Sequence, residues 1–309
     1  MDKKPLMSAI GNTPLIQLKN MTDADMADIY VKFEGANPTG SMKDRMALSM
    51  IMGAEARGEL KEGGWVVEYT GGSTGSSLAM VCAMRGYKAH FVSSNAFAEE
   101  KLQTMRAFGA SVEIIEAQDG ILTADVINRM IARAKEIIAE TGAFWPDQIN
   151  NPDNKRGYHG MAQEIMEGLG TDIDEFVMAV GGGGCFSGNS EILKEAIPTL
   201  KCTAVEPLHV RNVSGGDTSG THKLEGIGLS FVPSILRTDL IDDVIPVSDE
   251  NAYQTAHLLA RKEGIMGGAT SGANVWAAME RARELGPGKK IVSVICDSGL
   301  RYLNGDLFR

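Results

Sequence analysis

The stretch Asn37-Pro38-Thr39-Gly40-Ser41-Met42-Lys43-Asp44-Arg45 sets one lysine just after a Pro/Gly turn, at the start of a helix expected from Met46 to Arg57. Ser41 suits the N-cap, and Asp44 suits the first turn, where the helix dipole favours negative charge. Lysine normally takes the last turn of a helix and water. An amine fixed at a first turn is therefore a candidate nucleophile for a Schiff base. The same spacing also describes a surface lysine in a KDR run on a solvated helix face. Two glycine-rich segments, Thr70-Gly71-Gly72-Ser73-Thr74-Gly75 and Gly181-Gly182-Gly183-Gly184-Cys185-Phe186-Ser187-Gly188, each follow an apolar run that reads as a strand. Glycines let the main chain approach an anion closely, and a following helix adds N–H groups, so either segment suits a phosphate or a carboxylate. Each also fits a tight turn with close helix–sheet contact. Neither contains GxGxxG and the chain has no GxxxxGK[ST], so dinucleotide and P-loop readings lose their main support.

The elements that must position these residues alternate between strand and helix, the pattern of an α/β protein with parallel sheets. Trp65–Tyr69 reads as a strand, 74–85 as a helix, Ala89–Ser93 as a strand, 99–108 as a helix stopped by Gly109, and Val112–Ile115 as a strand. A strong helix is expected over Leu122–Ile138, with Leu122, Val126, Ile127, Met130, Ile131, Ala134, Ile137 and Ile138 on one face. A second series follows: strand Phe176–Val180, a helix to Ala196, strand Cys202–Val205, a helix from the Ser248 cap to Gly264, a helix over 272–284 and strand Ile291–Cys296. Asn150–Asn154 suits a crossing between lobes. The irregular, Gly- and Ser-rich stretch 207–233 suits a loop that covers a site. The expected division is a smaller lobe, 41–149, and a larger lobe of 1–40 with 150–309.

Composition narrows the function. A chain of 309 residues, 43% hydrophobic and 23% charged, reads as an ordinary globular protein of two lobes. A net charge of -10 argues against a sequence-independent nucleic-acid binder. No apolar run has transmembrane length, and Met1-Asp2-Lys3-Lys4-Pro5 lacks the apolar stretch of a signal peptide, so a cytoplasmic protein without membrane partners is expected. Cys82, Cys185, Cys202 and Cys296 form no CxxC pair, and the five histidines show no metal-ligand spacing. Buried thiols, no metal and a structural His159 are the expectation.

Taken in order, these segments resemble the fold-type II pyridoxal-phosphate enzymes, and most closely the cysteine synthase (O-acetylserine sulfhydrylase) and cystathionine β-synthase branch. The likeness runs through Gly11-Asn12-Thr13-Pro14-Leu15, Lys32-Phe33-Glu34, the Lys43 segment, the TGGSTG loop, 148–154 (QINNPDN), the GGGG loop, Glu225-Gly226-Ile227-Gly228, Gly268-Ala269-Thr270-Ser271-Gly272 and the ending DSGLRYL. The resemblance implies a tryptophan-synthase-β-like α/β fold, two lobes each with a mostly parallel sheet flanked by helices, and a homodimer. It implies pyridoxal 5'-phosphate held by Lys43, with Gly181, Gly182, Gly183, Gly184 and Cys185 around its phosphate, Thr270 (Ser271 less so) at its pyridine nitrogen, and Ser73 at its ring oxygen. Thr70, Gly71, Gly72, Ser73, Thr74 and Gln148 would clamp the substrate carboxylate, and Gly226 would lie near the substrate amine. No heme-binding segment before the core and no regulatory tail after it are expected.

A neutral hydroxyl at the pyridine nitrogen delocalises a carbanion into the ring less than an Asp partner would. That suits loss of a β-substituent to give an aminoacrylate, after Lys43 removes the α-proton. The implied reaction is β-elimination or β-replacement on a small β-substituted L-amino acid, with sulfide or another small nucleophile as acceptor. Where the family usually reads TSGNT, this chain has Gly71 and Ser73. Where it often carries Thr, this chain has Gly182 and Cys185, closer to serine and threonine dehydratases in that loop. A cysteine desulfhydrase or dehydratase that stops at elimination is thus a second reading, and a binding or regulatory protein on the same fold a third.

Overall fold

The computed structural model describes residues 6–309 other than Leu122. The N-terminal pentapeptide and the first residue of the expected 122–138 helix lie outside the described residues. The strands are β1 Leu15–Gln17, β2 Asp28–Phe33, β3 Trp65–Tyr69, β4 Lys88–Ser94, β5 Ser111–Ile115, β6 Glu175–Ala179, β7 Lys201–Pro207, β8 Asp243–Val247 and β9 Lys290–Ile295. The helices are α1 Lys43–Arg57, α2 Ser73–Arg85, α3 Glu99–Ala107, α4 Ala124–Thr141, α5 Pro152–Arg156, α6 His159–Leu169, α7 Gly184–Ala196, α8 Asp249–Leu258 and α9 Ala269–Leu285. The chain forms two compact units. One combines the residues up to Ile10 with Lys43–Asp153, and the other combines Gly11–Met42 with Asn154–Arg309.

The smaller unit holds the parallel sheet β3-β4-β5, extended by a single parallel bridge from Val66 to Phe144. Helix α4 packs on β3 and β4 through Val126, Met130, Ala134 and Ile137, all buried. Fully burying such a side chain is worth about 1.5–3 kcal/mol, which fixes this face of the helix. Thr123 Oγ1 caps α4 by accepting from Val126 N–H at 3.3 Å, and Gly142, at φ 66°, ends it in the left-handed conformation. Ile127, expected on the apolar face, is exposed. At 100° per residue it falls beside the stripe, away from the sheet.

The larger unit holds a six-stranded sheet in the order β1-β2-β9-β6-β7-β8, antiparallel only between β1 and β2. Every residue of β6 and all but the first of β9 are buried, as in a sheet covered on both faces. These two strands pair only at Glu175–Ile291 and Phe176–Val292. Beyond that point Asn274 of α9 bridges them, accepting from Ala179 N–H at 2.7 Å and donating to Val294 O at 2.7 Å. Ser293 Oγ adds a bond to Val177 O at 2.8 Å.

Several elements depart from the sequence reading. Helix α1 begins at Lys43 rather than Met46, so Met42 takes the position before the helix and Ser41 lies one residue outside it. Strand β2 carries Lys32, only 1% exposed, which breaks the apolar pattern. Its ammonium pairs with Glu164 of α6 at 2.6 Å and donates to Thr13 O. Strand β8 contains Pro246, which cannot donate to a ladder and sits at the sheet edge. The helix from Ser248 passes into a five-residue π-helix, Leu259–Glu263, before Gly264 stops it at φ 70°. The stretch after β7 is irregular, and buried Glu206 ties it down by accepting from Val213 N–H at 2.8 Å and Ser214 Oγ at 2.5 Å.

Removing one partner from a buried ion pair leaves an uncompensated charge. Glu164→Gln is expected to lower the unfolding free energy by about 3 kcal/mol, read from urea titration. An unchanged midpoint would mean that the Lys32 ammonium is compensated elsewhere.

Candidate active site

In the smaller unit, the TGGSTG loop leaves β3 and enters α2. Thr70 is 4% exposed, and its Oγ1 accepts from Gly75 N–H at 3.1 Å and Gly72 N–H at 3.4 Å. It shapes the turn from within. The first return bond of α2 runs from Ser76 N–H to Gly72 O at 3.1 Å, so the main chain of 73–74 opens the helix at its positive end. Thr74 Oγ1 donates to Gln148 Oε1 at 2.7 Å, and the Gln148 amide nitrogen donates to Tyr69 O at 3.5 Å. Thr70, Gly72, Ser73, Thr74 and Gln148, singled out separately along the sequence, thus meet around one helix N-terminus.

Two residues behind this loop were not singled out from the sequence. Glu68, the fourth of the five residues of β3, is fully buried and accepts from Trp145 Nε1–H at 3.0 Å, Gln148 N–H at 3.2 Å and Tyr69 N–H at 3.0 Å. The three donors favour its charge, but burial outweighs them, and with nearby Asp147 it pushes the carboxyl up to about 8. Burial likewise pushes the Tyr69 hydroxyl up to about 12, with Glu68 and Asp147 adding to it. The signal for Glu68 was legible as one charge inside an otherwise apolar strand. Trp145 carried no such signal.

Lys43 opens α1 and is half-buried. The next residue, Asp44, is fully buried and accepts from Ser77 Oγ at 2.6 Å, which locks the first turn of α1 to α2. The turn that leads into the helix is set by a Gly40 N–H to Asn37 O bond at 2.7 Å, with Gly40 at φ 74°. It is pinned to the end of β9 by Met42 N–H to Cys296 O and Ser298 N–H to Gly40 O, both 2.8 Å.

In the larger unit, the GGGG loop leaves β6 and enters α7. Here the first return bond runs from Ser187 N–H to Gly183 O at 2.9 Å. Gly183 has φ 82°, and a Cβ on it would stand 2.9 Å from Leu236. A Cβ on Gly181 would meet the Gly226 carbonyl, and one on Gly184 would meet Asn154 Oδ1, both far inside van der Waals contact. Bare main chain at a helix N-terminus is what an anionic phosphate needs. Cys185 turns its buried thiol inward, with Asn189 Nδ2 3.5 Å from Sγ and donating to its carbonyl at 2.8 Å. Gly226, at φ 86°, follows Glu225, whose carbonyl accepts from Thr270 Oγ1 at 2.7 Å. Ser271 Oγ accepts from Cys296 N–H at 3.0 Å in the core. Gly181, Gly226 and Thr270 therefore lie together. Among the described residues no cluster of His, Cys, Asp and Glu is placed to hold a metal ion.

An α/β fold with two glycine-rich strand-to-helix turns, each at a helix N-terminus that suits an anion, and with a lysine at a helix start, suits an enzyme of a phosphate-bearing cofactor. A family model for pyridoxal-phosphate dependent enzymes matches residues 6–297, and the chain belongs to that family. A cysteine synthase of Staphylococcus aureus is 39% identical over 313 residues, covering 100% of this chain and 99% of that protein. An O-acetylserine dependent cystathionine β-synthase from Helicobacter pylori superposes with a TM-score of 0.92 at 34% identity, over 100% of both chains. A hydrogen sulfide-producing enzyme from Fusobacterium nucleatum gives a TM-score of 0.91 at 35% identity, over 97% of this chain and 98% of that one. The glycine cradle before α7 fits the phosphate of this cofactor, since its main chain is bare at the positive end of a 13-residue helix.

The Glu68 carboxyl gives a test of the smaller unit. The unfolded chain releases this proton near ~4.3, whereas the folded form keeps it up to about 8. The folded state binds the extra proton in between. The stability tied to this group is complete below the lower value, falls as pH rises through the window and is lost above about 8. Glu68→Gln is expected to flatten the decline of stability between pH ~5 and ~8 in urea titrations. The same slope in both proteins would show that Glu68 is ionised throughout.

Proposed function

We propose that this chain catalyses pyridoxal-phosphate-dependent β-replacement on a β-substituted L-amino acid, as a cysteine synthase does, with O-acetyl-L-serine as donor and sulfide as acceptor. The observation that carries this reading is the full-length likeness to a cysteine synthase. When bound, the cofactor draws electrons from the α-carbon, so that the α-proton can leave and the β-substituent can depart with its electron pair. Lys43 would hold the cofactor through its ε-amine, and the same amine would serve as the base for the α-proton. Gly181–Cys185 would hold the phosphate through main-chain N–H groups, Thr270 would serve the pyridine nitrogen and Ser73 the ring oxygen. Thr70–Thr74 and Gln148 would orient the substrate carboxylate, with Gly226 for the substrate amine.

Elimination without replacement is a second reading, favoured by the relative named for hydrogen sulfide production. The two differ in the fate of the three-carbon product. With O-acetyl-L-serine and sulfide supplied together, replacement yields L-cysteine and elimination yields pyruvate and ammonia. The expected outcome is L-cysteine in excess over pyruvate, and a Lys43→Ala variant slower by about 100- to 10,000-fold, the usual share of a general base. No turnover with any small β-substituted amino acid would overturn the proposal.

We further propose a homodimer that works in the cytoplasm. Exposed Leu300 and Leu303 near the C-terminus offer apolar surface for a second copy, and four buried cysteines stand as free thiols, as in a reducing compartment. Sedimentation at micromolar concentration is expected to give twice the 33.1 kDa chain mass. A single-chain mass would remove the dimer.

A further inference from the structure

The loop from His222 to Gly228 exposes Glu225 and Gly226 at its crest and buries Leu224 and Ile227 on either side of them. Its main chain meets both the glycine loop and α9. The Glu225 carbonyl accepts from Thr270 Oγ1 at 2.7 Å, and the Gly226 carbonyl lies where a Cβ on Gly181 would stand. No helix or strand fixes the shape of this segment.

One side chain joins its two ends. His222 Nδ1 accepts from Leu224 N–H at 3.1 Å, so this nitrogen carries no proton. The ring proton therefore belongs to Nε2, which stands 3.3 Å from the Gly228 carbonyl and donates to it. Gly228 has φ 69°, and a Cβ on it would stand 2.5 Å from His222 Nε2, so the ring needs a glycine there. Gly228 N–H in turn donates at 3.3 Å to the carbonyl of Val180, the residue before the GGGG loop. At the other end, Lys223 N–H donates at 2.9 Å to Asp249 Oδ2 in the first turn of α8. All of these partners lie in the larger unit.

We propose that His222 is a positioning residue for the amine side of the site. This rests on the reading of Gly226 and Thr270 as site residues. The imidazole clasps the loop by a hydrogen bond to each end, and so sets the crest carbonyls against Gly181 and Thr270. Its part is to hold main chain rather than to meet the substrate. Only the tautomer with its proton on Nε2 makes both bonds. An Asn side chain also offers one acceptor and one donor, whereas a phenyl ring offers the shape and neither bond.

The test uses the holoenzyme with His222→Phe, His222→Asn and His222→Ala. Amide hydrogen exchange reports on the loop. Calorimetry gives the affinities for L-serine and L-methionine, and kinetics with O-acetyl-L-serine give KM and kcat. His222→Phe is expected to speed exchange of Leu224 N–H by about 10-fold, as for loss of the bond that protects it. It is also expected to weaken amino-acid binding and raise KM by about 10-fold, with kcat within about threefold, since the loop holds bound substrate and reacting substrate alike. His222→Asn is expected to recover most of both losses. His222→Ala removes both bonds with no ring to place, and carries the test should His222→Phe fail to fold. Unchanged exchange in both bond-deficient variants would overturn the clasp, and faster exchange with unchanged amino-acid affinity would overturn its role in positioning. A loss in His222→Asn equal to that in His222→Phe would overturn the proposal too. These outcomes leave the β-replacement reading intact. Conversely, an enzyme inert toward O-acetyl-L-serine that loses L-serine affinity in His222→Phe would overturn that reading and keep this one. A wild-type enzyme that binds no amino acid overturns both.

Discussion

Main-chain N–H groups can serve an anion only where no side chain stands in front of them, and both units are built around that constraint. After β3 the chain turns through Gly71 and Gly72, and after β6 through Gly181 to Gly184, each time into the N-terminus of a 13-residue helix. The glycines are not interchangeable flexible points. Gly183 is needed for its left-handed backbone, Gly181 for the approach of the Gly226 carbonyl, and Gly184 for Asn154. Each packs against a partner distant in the chain, so the cradles exist only in the folded units.

That distance explains which parts of the site were legible in the sequence. The turns themselves were, because strand, glycine run and helix are consecutive. The lysine segment was also legible, since the Pro/Gly turn and the helix start adjoin. The residues that pack against the turns were less so. Phe97 and Lys101 read as ordinary loop and helix residues, yet they stand on Gly71 and Gly72. Gln148 reaches Thr74 across 74 positions. Asn154 stood out only as part of the QINNPDN segment, with nothing to tie it to Gly184. Strand β2 was hidden by Lys32, whose counter-charge, Glu164, lies on a helix 132 positions further on. Strand β8 was hidden by Pro246, tolerable only because the strand is at an edge.

The loop that departs from the family pattern is also the best supported mechanically. Thr70 closes the turn from inside, Glu68 holds the 145–148 segment with both carboxylate oxygens, and the Thr74–Gln148 bond joins the two. Burial pushes this carboxyl up to about 8, toward its neutral form. Its three N–H donors tie the end of β3 to the 145–148 segment.

In the larger unit the corresponding feature lies between the two central strands. Here β6 and β9 pair at two positions and then part. Parting strands strand their own backbone groups, a cost of about 1–3 kcal/mol for each one left buried and unpaired. Asn274 removes two of these costs by bonding Ala179 N–H and Val294 O at once. Asn274 lies on α9, one turn beyond Thr270. The helix that keeps the strands apart is thus the helix that delivers the hydroxyl to the Glu225 carbonyl beside Gly226. An apolar residue at 274 could fill the volume, but it would leave Ala179 N–H and Val294 O without these bonds.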